Sequence, residues 1–318
     1  MKKTMKKTMI AAGIASLLSS GAYAETIGVS MALFDDNFLT VLRNGMIEYA
    51  GTLPGVEIQV EDAQNDVSKQ LNQIQNFIAS GVTAIVVNPV DTSATQAMTD
   101  AAVAAGVPLV FVNREPVNVD TLPDNQAFVA SNEVDSGTLE TLEVCRLLKE
   151  QGKGSGASIV VMMGELSNQA AVQRTADVHD VIATADCNFI TIVEEQTANW
   201  SRVQGQDLMT NWLSAGIKFD AVVANNDEMA IGAIQSLKAA GFDMGTMIVG
   251  GVDATQDALA AMAAGDLDVT VFQNAAGQGA GAVNAALALA AGQAVERKVY
   301  VPFELVTPAN LASYQSKN

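Results

Sequence analysis

A series of short segments in this chain delivers polar side chains directly after runs of consecutive apolar residues. Asp36 and Phe38 follow the run at 26–31, and Asn113 and Arg114 follow the run at 109–112. Arg174 closes a loop opened after 158–163, and Trp200 follows 189–193. Asn226, Asp253 and Gln273 follow the runs at 221–224, 247–249 and 269–272. Carboxylates accept hydrogen bonds, guanidinium groups donate them, and amides do both. Gathered in one place, such a set satisfies a neutral polyhydroxylated ring, whose hydroxyls each donate once and accept besides. Phe38 and Trp200 would cover the apolar C–H faces of the ring. Charge-assisted bonds contribute about 1.5–3 kcal/mol each and an unpaired buried group costs about 1–3 kcal/mol, so a wrong stereocentre would be rejected sharply. Each position also has a plainer reading. Asp35 and Asp227 read as helix N-caps, and Asp36 is open between cap and ligand contact. Phe38 and Trp200 stand at helix starts, where an aromatic ring serves the core as often as a ligand.

The elements that must position these groups alternate almost without a break. Phe38, Val41, Leu42, Gly45, Met46 and Tyr49 recur at helical spacing, as do Leu71, Ile74, Phe77 and Ile78. Between the helical stripes lie strand-like runs such as 56–60, 84–87 and 109–112. Continuous apolar strands between amphipathic helices predict parallel sheets covered on both faces, and right-handed crossovers make each lobe doubly wound. In open α/β sheets ligands sit beyond the carboxyl ends of the strands, where the polar groups stand. No Pro- or Gly-rich linker separates two lobes, so the boundary is expected at strand ends near Ser131, Gln273 and Tyr300.

Lys2, Lys3, Lys6 and Lys7, an apolar run at 9–18 and Ala22-Tyr23-Ala24 read as a secretory leader cut after Ala24. The run spans about ten residues, where a membrane-spanning helix needs about twenty. The 13 Lys and Arg and 35 Asp and Glu that remain give a mature net charge of −22. Phosphate backbones would be repelled, which argues against nucleic acid as a partner. Secretion permits a disulfide between the only cysteines, Cys145 and Cys187, the alternative being two buried thiols. With His179 the only histidine, no zinc site or other metal centre is expected.

Enzymatic readings fare poorly. Gly277-x-Gly279-x-x-Ala282 follows a strand and opens a helix, as dinucleotide sites do, but its Ala- and Gly-rich flanks read better as a closely packed helix. There is no P-loop, no nucleophile elbow and no Ser/His/Asp set that His179 could serve. Asp36 and Asp253 could be paired as glycosidase carboxylates, but two nearby arginines would hold both ionised, which suits binding better. A sugar-responsive repressor would need a DNA-binding helix pair where the leader stands. No cofactor is expected.

The motifs FDDNF (34–38), FVNREP (111–116), TANW (197–200), VVANNDEMAIGA (222–233), GGVDA (250–254) and TVFQ (270–273), with the spacing from Gly164 to Thr175, carry a resemblance. From Ile27 to the C-terminus the chain resembles the periplasmic monosaccharide-binding proteins that feed ABC importers, the galactose/glucose and ribose binders. The resemblance implies sugar contacts at Asp36, Phe38, Asn113, Arg174, Trp200, Asn226 and Asp253, with Gln273 as in the ribose binder. The chain departs from the galactose binder in carrying Asn168 and Ala170 where that protein has a His and an Asp. Gly152-Lys153-Gly154-Ser155-Gly156 replaces its calcium loop, so calcium is not expected. Segments 31–46 and 113–123 look closest to the myo-inositol and rhizopine binders, and a cyclitol, which lacks an anomeric centre, fits the lost His and Asp.

The expected fold is therefore α/β, two doubly wound parallel-sheet lobes joined by a three-strand hinge, of periplasmic binding protein type I. The lobes are expected over 25–130 with 273–301 and over 131–272 with 302–318. Asp36, Phe38, Asn113 and Arg114 would face the ligand from the first lobe, and Arg174, Trp200, Asn226 and Asp253 from the second, with Gln273 at the hinge. The expected partners are a small neutral sugar or cyclitol and an ABC permease at the inner membrane. A chemoreceptor is compatible as a further partner, nucleic acid is not, and a monomer is expected.

Overall fold

The computed structural model describes residues 24–317; the basic head and apolar run of the expected leader lie outside the described residues. The chain begins with β1 (Glu25–Met31), α1 (Asn37–Gly51), β2 (Val56–Asp62), α2 (Val67–Ser80), β3 (Ala84–Val87), α3 (Thr95–Ala105), β4 (Leu109–Val112) and β5 (Gln126–Ala130). Then come α4 (Glu133–Glu150), β6 (Ala157–Met163), α5 (Gln169–Ile182), β7 (Ile190–Thr197), α6 (Arg202–Ser214), β8 (Ala221–Ala224), α7 (Asp227–Ala239), β9 (Ile248–Gly250), α8 (Gln256–Ala263) and β10 (Thr270–Phe272). The chain ends with α9 (Ala275–Ala290), β11 (Lys298–Tyr300) and β12 (Glu304–Val306). Among the described residues no helix is long and apolar enough to cross a membrane.

Two parallel sheets result, one in the order β11-β5-β4-β3-β1-β2 and one in the order β7-β6-β8-β9. Strand alternation sends side chains to both faces. On the first sheet Val29, Val86, Val110 and Val129 pack under α1 and α9, while Ile85, Val87, Leu109 and Phe111 pack under α2 and α3. On the second, Val160, Val222 and Val249 face α6 and α7, while Ile159, Val161 and Val223 face α4 and α5. Burying one such side chain contributes about 1.5–3 kcal/mol, which explains why these strands read as unbroken apolar runs.

Three crossings join the sheets. β5 leads into α4, which packs on the second sheet; β10 leads into α9, which packs on the first. β11 pairs with β5, and its continuation β12 pairs antiparallel with β10. Isolated bridges from Gly250 to Val269 and from Asp253 to Phe272 attach β10 beside β9.

The glycine pattern at 277–282 is a packing device. A Cβ on Gly279 would stand 3.0 Å from the Met46 nitrogen, and one on Gly45 would stand 3.1 Å from the Ala276 Cα, so α9 and α1 touch backbone to backbone. Cys145 on α4 and Cys187 beyond α5 form a disulfide. Two expected caps are corrected. Asp36, not Asp35, caps α1 by accepting from the Leu39 nitrogen at 2.7 Å, and Asp35 is exposed. Asn226 caps α7, whereas Asp227 is fully buried and takes hydrogen bonds from the Thr255 nitrogen (2.8 Å) and the Thr270 hydroxyl (2.7 Å). It braces the segments leading out of β9 and into β10.

Candidate functional site

In both sheets the strand order reverses beside the first strand, at β1/β3 and at β6/β8. Loops leaving those strand ends diverge and leave a crevice, and the two crevices face each other. Between them lies a cavity with an empty volume of about 390 Å³, open in part to solvent. Asp36, Phe38, Asn113, Arg114, Arg174, Trp200, Asn226, Asp253 and Gln273 all line it, so the structure brings together the residues expected to face a ligand. Leu39, Asn168 and Ala170 complete the wall.

Each polar group is held in place by something behind it. The Arg174 guanidinium donates to both Glu133 oxygens, at 2.7 and 3.1 Å, to the Asn225 carbonyl at 2.7 Å and to Gln273 Oε1 at 3.4 Å. Asp253 Oδ1 lies 3.8 Å from it. Asn113 accepts from Asn88 Nδ2 at 3.2 Å, which leaves its own Nδ2 as the donor. Arg114 donates to the carbonyls of Pro89 and Val90 through Nη1 and makes no carboxylate ion pair among the described residues. Asn226 spans the Met229 nitrogen and the Trp200 carbonyl. Phe38 is 7 % exposed and belongs to the core under α1 as well as to the cavity wall.

Trp200 leans on a glycine. A Cβ on Gly164 would sit 2.2 Å from the indole, so only glycine lets the ring lie there. The Arg174 guanidinium carbon lies 5.7 Å from the ring centroid, within cation–π range. Asn113, Trp200 and Asp253 have φ of 67°, 63° and 125°. Such conformations cost non-glycine residues about 1–3 kcal/mol each, and three of them converge on one cavity.

The electrostatics differ from the sequence expectation in one respect. Both Asp36 and Asp253 have carboxyl pKa values raised above the ordinary value, with burial the largest cause. The arginines offset this only in part. Arg174 is already engaged by Glu133, and burial pushes the Arg114 pKa down. Glu133, the missed member of the site, stands at the start of α4, 41 residues before Arg174; two helix positions so far apart carry no shared spacing signal. His179 lies outside the cavity wall, half exposed and paired with Glu195.

The lobes touch around the cavity. Asn37 donates to Glu228 at 2.6 Å, Asn65 donates to Glu165 at 2.8 Å, and Thr92 donates through Oγ1 and nitrogen to the Ser167 carbonyl at 3.0 and 3.1 Å. This is a closed arrangement.

Residues 27–294 match the family model described as a periplasmic binding protein domain. A protein of Rhizobium meliloti named for rhizopine binding is 68 % identical over 314 residues, which cover 99 % of this chain and 100 % of that one. An ABC transporter solute binding protein from Bacillus halodurans with bound myo-inositol has a TM-score of 0.86 and 42 % identity, covering 94 % of this chain and 100 % of that one. A Caulobacter myo-inositol binding protein bound to myo-inositol has a TM-score of 0.82 and 30 % identity, covering 91 % and 95 %.

Proposed function

The chain belongs to the periplasmic binding protein family, and from that premise we propose that it is the solute-binding component of an ABC importer for a small neutral polyol. Myo-inositol or a related cyclitol of the rhizopine type is the favoured ligand, and the periplasm is its place of work after cleavage behind Ala24. The observation that carries this reading is the cavity between the lobes, on whose wall acceptors (Asp36, Asp253) and donors (Arg114, Arg174) from both crevices meet, with Trp200 beside them. A ring whose every carbon bears a hydroxyl uses both kinds of partner at once. Ala170 lines the same space and adds neither charge nor hydrogen-bonding group, which suits a ligand without an anomeric centre.

Capture works by closure. Ligand held from both sides favours the closed form, because only that form makes both sets of bonds. The lobes that close are residues 25–130 with 273–301 and residues 131–272 with 302–318. Gln273 sits directly after β10, at a crossing, and is 1 % exposed. A permease reading the closed shape then receives the ligand, and a chemoreceptor would read the same state. The protein acts as a monomer, and none of its residues is assigned a catalytic role.

Thermal unfolding of the mature protein against myo-inositol, scyllo-inositol, ribose, galactose and glucose tests the ligand. At a hundred times the dissociation constant a ligand adds about 2.7 kcal/mol, a shift of several degrees. A shift with inositols and none with aldoses is expected. A shift with an aldose alone would keep the importer role and overturn the cyclitol.

A further inference from the structure

The loop between β6 and α5 contains a relay that connects the cavity to the opposite lobe. Asn168 is 1 % exposed, lines the cavity, and its Oδ1 has no hydrogen-bond partner among the described residues. Its amide is oriented from behind: Nδ2 donates to Glu165 Oε2 at 3.1 Å and to Ser167 Oγ at 3.3 Å. A carboxylate oxygen accepts, so Glu165 holds the amino group and the amide oxygen is left unpartnered on a residue of the cavity wall. The other Glu165 oxygen, Oε1, accepts from Asn65 Nδ2 at 2.8 Å across the cleft. Asn65 follows β2 in the other sheet, has a left-handed φ of 56°, and donates its backbone N–H to the Ala32 carbonyl at 2.8 Å. That anchored turn aims its side chain at Glu165, and the bond exists only while the lobes are together. Asn65 and Glu165 also wall a vestibule that shares Asp36, Arg114 and Trp200 with the cavity.

We infer that Glu165 is a positioning residue that couples lobe closure to ligand choice, accepting from Asn65 on one side and presenting Asn168 as a hydrogen-bond acceptor on the other. The inference rests on the polyol-binding function proposed above and names what that site demands at one point of the ring: a donor, such as a hydroxyl. A methylene or an ether oxygen there leaves Asn168 Oδ1 buried and unsatisfied, and the ligand is disfavoured. Neither Asn65 nor Glu165 lines the cavity itself. The pair therefore acts through Asn168.

A polarity swap tests the relay. Glu165→Gln leaves one acceptor for two donors, and the Asn65 amide, which also carries an acceptor, can turn over to restore the cleft bond, so this variant alone need not break the relay. Asn65→Asp sets a carboxylate against a carboxylate. In the double variant the new amide donates to the new carboxylate while its oxygen accepts from Asn168, and the relay is whole again at unchanged net charge. By titration calorimetry with myo-inositol, Asn65→Asp should bind about tenfold more weakly, and the double variant should return to within about threefold of wild type. Against a set of mono-deoxy inositols, wild type should disfavour one isomer and Asn65→Asp should narrow that preference. Asn65→Asp with wild-type affinity, or a double variant as weak as Asn65→Asp, would overturn the relay. A wild-type protein that binds no polyol would instead overturn the proposed function.

Discussion

Asp253 and Trp200 combine strained backbone with a place on the cavity wall, so their side chains are aimed at a cost that folding alone does not require. Trp200→Ala and Asp253→Ala should each weaken polyol binding at least tenfold in calorimetry while the far-UV spectrum stays that of the wild type; wild-type affinity in either would remove that residue from the site. Gly164→Ala is a sharper probe because it touches no ligand group. Its new Cβ would meet the indole at 2.2 Å, so the ring must tip. Affinity should fall severalfold and the tryptophan emission should shift, whereas unchanged emission and affinity would show that the ring does not rest on this glycine.

At the scale of the elements, the disulfide ties α4, which supplies Glu133 and Cys145, to the turn after α5, which supplies Arg174. Closing a loop of 42 residues by sequence separation restricts the unfolded chain, and removing such a link costs about 2–4 kcal/mol. Cys145→Ser should lower the unfolding temperature by several degrees; an unchanged melting point would place the link outside the cooperative core. The strands that read clearly from the sequence, such as 84–87, 109–112 and 221–224, are those buried on both faces, where every residue is apolar. β11 and β12 were marked only by the expected crossing at Tyr300, because three-residue strands with exposed positions leave no pattern. β5 was obscured by Gln126, whose side chain is buried by hydrogen bonds with Thr99. The cavity residues were found because strand ends are predictable places. Glu133 was not found, because its role depends on a pairing in space between two helices.

For the molecule as a whole, several buried carboxyls titrate near neutrality. Burial, the largest cause in each case, pushes the Asp227 carboxyl up to about 7 and those of Asp177 and Asp268 up to about 6. The folded protein therefore keeps protons that the unfolded chain releases near its ordinary value of 3.8. Their stabilisation is complete below that value and is lost as pH rises through about 6 to about 7. The excess of acidic residues acts in the same direction, since self-repulsion grows as carboxyls ionise. The unfolding temperature should fall between pH 5 and pH 8, and a rise over that range would contradict the assignment of buried, protonated carboxyls. The most direct measurement of what the closed cavity is for is isothermal titration of the ligand-free mature protein with myo-inositol. One ligand per chain at about micromolar affinity, roughly −8 kcal/mol, is expected and lies within reach of twelve non-hydrogen atoms. Absence of binding heat with every inositol and aldose, from protein shown to be folded, would contradict capture of a small polyol between the lobes.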